Sequence, residues 1–101
     1  MNAFIKLGVI EPLAQALYQQ GIRFPTVIQQ ASIPAIFKGK DIIGRSETGT
    51  GKTLAYLLPL VQRVVVKKGG TQVLIMTPTR ELAKQIFDVL RPFAILMEAD
   101  V

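Results

Sequence analysis

The sequence predicts an α/β domain, with parallel strands flanked by helices. Two short apolar runs, 41–45 and 72–77, have the length and composition of buried strands. Helical periodicity, with start and stop residues, fills the chain before, between and after them. The connection from the first run to the second is long enough for a right-handed helical crossover, which parallel strands require.

Each element has its own signal. Pro12 suits a first turn and Gly21 suits the left-handed position after the last turn, so a helix is expected from about Pro12 to Gln20. Leu13, Ala16, Leu17 and Gln20 give it one apolar-leaning face. Thr26 and Gln29 have capping-box spacing and open a second helix, which Pro34 is expected to kink or divide before Gly39. Asp41 to Arg45 reads as a strand and Ser46 to Gly51 as a tight turn. A helix from about Gly51 to Val66 carries Leu54, Ala55, Leu57, Leu58, Leu60, Val61, Val64 and Val65. Being apolar nearly all round, it should be buried. Lys67 to Gly70 is a turn and Gln72 to Thr77 the second strand. Thr79 can cap a helix from Arg80 to about Leu90, with Leu82, Ile86, Val89 and Leu90 inward and Lys84, Asp88 and Arg91 toward water. No element is assigned to 93–101.

Composition narrows the chemistry. Half of the 101 residues are hydrophobic and 19% are charged, the reverse of a disordered tail. The chain has no Cys, which excludes disulfides and thiolate metal sites. It has no His, which removes the Ser-His and Cys-His nucleophile pairs. What remains is chemistry by Lys, carboxylates, hydroxyls and backbone amides. A formal charge of +5 suits phosphate-bearing partners but does not single them out. The N-terminus lacks a signal-peptide pattern, and the apolar stretch 54–61 is far shorter than the roughly 20 residues that span a bilayer. The expectation is a soluble, intracellular chain, cytoplasmic or nuclear, with no membrane partner.

The strongest chemical signal is Ser46-Glu47-Thr48-Gly49-Thr50-Gly51-Lys52-Thr53, between an expected strand and an expected helix. Glycines let the backbone curl so that several amide hydrogens face one point, and the new helix adds its positive end. Such a loop cradles phosphates. Lys52 would reach the β- and γ-phosphates and the Thr53 hydroxyl would hold Mg²⁺. Ser46 stands where the strict P-loop pattern has Gly.

Two further sites have alternative readings. Gln29 can accept and donate at once, so it could read the N6 and N7 edge of adenine. It also fits the capping box with Thr26. Pro78, Thr79, Arg80 and Glu81 follow the second strand, where open α/β sheets place ligands. Thr79 and Arg80 could hold nucleic-acid phosphates. Equally, Thr79 could cap the helix and Glu81 complement its dipole.

Together these segments resemble the DEAD-box ATP-dependent RNA helicases. Gly21-Ile-Arg-Phe-Pro-Thr-Val-Ile-Gln29 is similar to the family's Q motif, and Phe4 stands 17 residues before Gly21, where the family has an isolated aromatic. Residues 46–53 resemble motif I, in which Ala or Ser replaces the first Gly, and Pro78-Thr-Arg-Glu-Leu-Ala83 resembles motif Ia. The resemblance implies that Gln29 selects adenine, with Thr26 in its network, so that the nucleotide is ATP with Mg²⁺. It implies that Lys52 and Thr53 are the catalytic members present, and that residues 78–81 contact RNA. Ile22 occupies the usual aromatic position. Adenine packing is then aliphatic at Ile22, or shifts to Phe24 or Phe4.

By the same resemblance, residues 1–101 form the N-terminal portion of the first RecA-like domain. The fold is an incomplete RecA-like P-loop domain. Motif II is absent, since Glu98-Ala-Asp100 lacks the leading Asp, and so is the second RecA-like domain. The family sheet has later strands between the two expected here, which leaves a gap. The expected function is that of an ATP-binding, RNA-contacting fragment of a helicase, inactive alone. The alternatives are a non-catalytic module that binds nucleotide, RNA or a partner, and an assembly-prone structural fragment. A motor acting on DNA fits the motifs less well. Self-association or completion by another chain is an expected consequence of the gap.

Overall fold

Asn2 opens the first helix of the computed structural model, accepting the Phe4 N–H at 2.7 Å. The structure describes residues 2–45, 50–64, 70–99 and 101. Within them lie α1 (Ala3–Lys6), α2 (Glu11–Gln19), α3 (Val27–Phe37), α4 (Thr50–Arg63) and α5 (Arg80–Leu96).

The helix signals act where the sequence places them. Pro12 lies in the first turn of α2, and Thr26 and Gln29 form a full capping box on α3. Thr79 caps α5 by accepting the Leu82 N–H at 3.1 Å. Four helix ends share one geometry. After α1, α2, α3 and α5, a residue with positive φ (Gly8, Gly21, Gly39 and Glu98) lets the next amide reach back over the last turn. In α2 the Gly21 N–H meets the Tyr18 carbonyl at 3.0 Å and the Ile22 N–H meets that of Leu17 at 2.9 Å. This is the Schellman pattern. At α5 it is made by Glu98, a residue with a Cβ, at φ 56°.

The α/β expectation is corrected by these elements: the described residues form five helices and no strand. A strand exists only through its ladder, since a single run leaves every N–H and C=O without an inter-strand partner. Neither 41–45 nor 72–77 has another run beside it, so the parallel sheet and its crossover do not form. Residues 73–77 keep the strand period in their exposure: Val73, Ile75 and Thr77 are half-buried, while Leu74 and Met76 are exposed.

Two helix boundaries also differ. Pro34 does not divide α3, because Ile33 and Ile36 on either side of it are buried, and packing outweighs the lost hydrogen bond. The last helix runs past Leu90 and Pro92 to Leu96, because Phe93 and Ala94 belong to the core. The expected turn at 46–49 and the segment 65–69 lie outside the described residues.

The core is helical. Phe4, Val9, Leu13, Ala14, Leu17, Ile33, Leu54, Leu58, Val61 and Phe93 form one buried cluster with members from all five helices. The radius of gyration is 13.1 Å, against about 13 Å for a packed domain of 100 residues. The helices therefore pack without the sheet. α3 packs mainly against α4, and α5 touches both α2 and α4. Two contacts fix the direction of α3 and α4. Gln29, early in α3, bonds Gly51, early in α4, and the Arg63 guanidinium at the end of α4 donates to the Phe37 carbonyl at the end of α3 (3.5 Å). The two helices therefore run parallel, side by side. Gln62 ties α4 to the α1–α2 connection: its Oε1 accepts the Ile10 N–H at 3.2 Å and its Nε2 donates to the Gly8 carbonyl at 3.3 Å.

Candidate functional site

The site is built where the first turns of α3 and α4 meet. Thr26 ends the approach to α3 in an extended conformation and accepts the Gln29 N–H on its hydroxyl at 3.4 Å. Gln29 returns the bond, its Oε1 accepting the Thr26 N–H at 2.9 Å. The side chain then crosses between helices: Nε2 donates to the Gly51 carbonyl at 3.1 Å. Gln29 is 2% exposed and every buried side-chain polar atom among the described residues has a partner. Burying an amide so completely is costly unless it is bonded, and these two bonds meet that requirement.

Gly51 allows the approach. A Cβ built there would lie 3.3 Å from Thr26 Cγ2 and 3.4 Å from its Oγ1, so any side chain would press on the capping box. Lys52 and Thr53 follow in the same turn of α4 and are half-buried. Tyr56 comes three residues after Thr53, on the same helix face. Burial pushes its phenol above the usual tyrosine value, and a hydrogen bond with Thr53 partly offsets this. Tyr56 and the Gly51 carbonyl are site members that the sequence reading missed. The i, i+3 spacing from Thr53 was the available signal for Tyr56. None existed for a backbone carbonyl.

The sequence-level candidates divide as follows. Thr26, Gln29 and Gly51 are joined by direct contacts, with Lys52 and Thr53 adjacent on α4. Thr50 is the first residue of α4. Ser46, Glu47, Thr48 and Gly49 lie outside the described residues. Of the three candidates for packing a base, Phe4 is fully buried in the core and Ile22 packs against that core, while Phe24 is 80% exposed. Phe24 alone offers an open face. Arg23, beside it in sequence, stacks over the Tyr18 ring at 4.7 Å.

Pro78, Thr79, Arg80 and Glu81 are all exposed at the start of α5. The capping reading of Thr79 holds, and the Thr77 hydroxyl donates to the Thr79 carbonyl at 2.7 Å. Glu81 sits in the first turn, where a carboxylate favours the helix dipole. The Arg80 side chain is free to meet an anion from outside. No hydrogen bond among the described residues joins this strip to α3 or to the first turn of α4.

No helix among the described residues is long and apolar enough to cross a membrane. Residues 26–101 match the model of the family described as DEAD/DEAH box helicase. The chain is also similar to the ATP-dependent RNA helicase SrmB of Escherichia coli (strain K12), with 45% identity over 98 residues. That match takes in 93% of this chain and 22% of the length of SrmB. The matched region begins at Thr26 and so contains the whole Gln29–Gly51 junction and the 78–81 strip, and the chain belongs to the DEAD/DEAH box helicase family.

Proposed function

We propose that this chain supplies the adenine site, the phosphate loop and one RNA-contact strip of an ATP-dependent RNA helicase. It would form the N-terminal portion of the first RecA-like domain and act inside the cell. The observation that carries this reading is the bond from Gln29 to Gly51. It couples the residue suited to read adenine directly to the turn that holds Lys52 and Thr53.

The chemistry of the donors fits Mg-ATP. After its two bonds Gln29 keeps one amide hydrogen and one oxygen lone pair, the set that the N7 and N6 edge of adenine requires. At 2% exposure, its neighbours must yield before a base reaches it. Lys52 brings a cation to the start of α4, where backbone amides already favour anions. Mg²⁺ would neutralise phosphate charge, and the Thr53 hydroxyl is the side chain in this turn suited to hold it. The exposed Arg80 and the amides that open α5 suit RNA phosphates, contacts that position a strand without reading its sequence. Hydrolysis by this chain alone is not expected, because motif II is absent from its sequence.

Isothermal titration of the 101-residue chain with ATP, GTP and inorganic triphosphate, each with Mg²⁺, tests the reading. Binding of ATP in preference to GTP supports it. Equal affinity for all three leaves a phosphate site without an adenine site, and no binding by any of them removes both.

A further inference from the structure

We propose that two copies of this chain pair through residues 73–77, forming an antiparallel two-stranded ladder about a two-fold axis. The inference is independent of the nucleotide reading. Its basis is a segment with the side-chain period of a strand and no strand beside it. Val73, Ile75 and Thr77 line an apolar groove of about 560 Å³ between α4 and α5, so one face of the segment already has its place. Leu74 is 78% exposed and Met76 84% exposed, on the other face. No backbone–backbone hydrogen bond joins 73–77 to any other described residue. Unpaired N–H and C=O groups beside exposed apolar side chains make an edge that recruits another strand.

The charge pattern selects the occupant. The chain carries +5 overall, which opposes contact between copies over most of the surface. From Gly70 to Thr79 it has no charged residue, and its only proline there is Pro78. Neutral, proline-free runs of six or seven residues with high β propensity are those that pair with their own kind. A negatively charged partner would gain nothing from 73–77, whereas an identical neutral segment meets no repulsion there. Antiparallel pairing centred on Ile75 sets Leu74 against Met76 of the other copy, and Val73 against Thr77. Apolar residues then face each other across the strands, the arrangement that stabilises a ladder. The contact is the same patch on both copies, as a closed two-fold dimer requires.

Sedimentation velocity over a range of protein concentrations, with amide hydrogen exchange at the two extremes, tests the proposal. The wild-type chain is expected to double in mass as concentration rises, with exchange slowing by at least tenfold at 73–77 and little elsewhere. The double variant Leu74→Lys with Met76→Lys is expected to stay monomeric with an unchanged helical circular dichroism spectrum. Val27→Lys, which charges an equally exposed apolar site on α3, is expected to associate as the wild type does. A wild-type chain that stays monomeric throughout would overturn the proposal, as would association that leaves exchange at 73–77 unchanged. Should the double variant lose its helices, the wild-type exchange pattern decides alone.

Discussion

The Gln29 side chain donates to the Gly51 carbonyl across 3.1 Å, from a position that is 2% exposed, and so makes the N-terminal cap of α3 part of the α4 turn. One residue thereby serves the helix cap, the α3–α4 contact and the proposed base site. Gln29→Ala leaves the Gly51 carbonyl and the Thr26 N–H without this partner. The loss expected is about 1–3 kcal/mol, read by urea denaturation. If Gln29 also reads adenine, the variant loses ATP affinity by a larger factor than triphosphate affinity. Equal factors would assign it to capping and packing alone.

Lys52→Ala removes the cation at the start of α4 while leaving the Gln29–Gly51 contact. Triphosphate and ATP binding should both fall below detection in titration calorimetry, with the melting temperature nearly unchanged. Retained affinity would move the phosphate site away from this turn.

Tyr56 gives the fold a measurable response to alkali. Its neutral phenol is favoured by burial, so the folded chain keeps the proton at a pH where the unfolded chain has released it. Stability from this source is complete below pH 10.0, the ordinary tyrosine value, and is lost as pH rises through the higher folded value. Tyr56→Phe should therefore lose less stability than the wild type between pH 9 and pH 11. Parallel stability profiles for the two proteins would show that Tyr56 titrates as in the unfolded chain.

Phe93 is 1% exposed within the central cluster, beyond the expected end of the last helix. Phe93→Ala should cost about 3–5 kcal/mol, enough to unfold a marginal chain of this size. Thermal denaturation checks it. A loss below about 1 kcal/mol would place Phe93 outside the structural core.

Glu98 ends α5 in the left-handed region, at φ 56°, where a Cβ is unfavourable. Glu98→Gly should raise stability by up to about 1 kcal/mol, after the greater freedom of glycine in the unfolded chain is subtracted. Chemical denaturation reads the change. A clear loss would mean that the Glu98 side chain makes a stabilising contact that outweighs its backbone conformation.

Much of the helical layout was legible, because caps and stops are local. Pro12, Gly21 and the Thr26–Gln29 box specify their own helix ends through neighbouring backbone groups. Pro34 and Pro92 misled the reading for the opposite reason. Their effect depends on distant packing, and Ile33, Ile36 and Phe93 are buried deeply enough to hold the helices through them. The strands failed most completely. Apolar composition at 72–77 encodes a willingness to pair, but the partner is a matter of the remaining chain or of another molecule. Within the site, Thr26 and Gln29 were legible as a pair. Their reach to Gly51 was not, because it depends on α3 and α4 lying side by side.

That side-by-side arrangement has an electrostatic consequence. Neighbouring helices in antiparallel pairs cancel one another's dipoles, but α3 and α4 run the same way and bring two like poles together. Each N-terminus is equivalent to roughly half a positive charge. The Gly51 position lies 3.3 Å from Thr26 Cγ2, so the two half-charges sit almost in contact, with the Lys52 ammonium following on α4. Without an anion the pair is held partly against its own field by the core and by the bonds at Gln29 and Arg63. An anion placed there does more than find a binding site: it relieves repulsion inside the protein, so phosphate and the α3–α4 contact should strengthen each other.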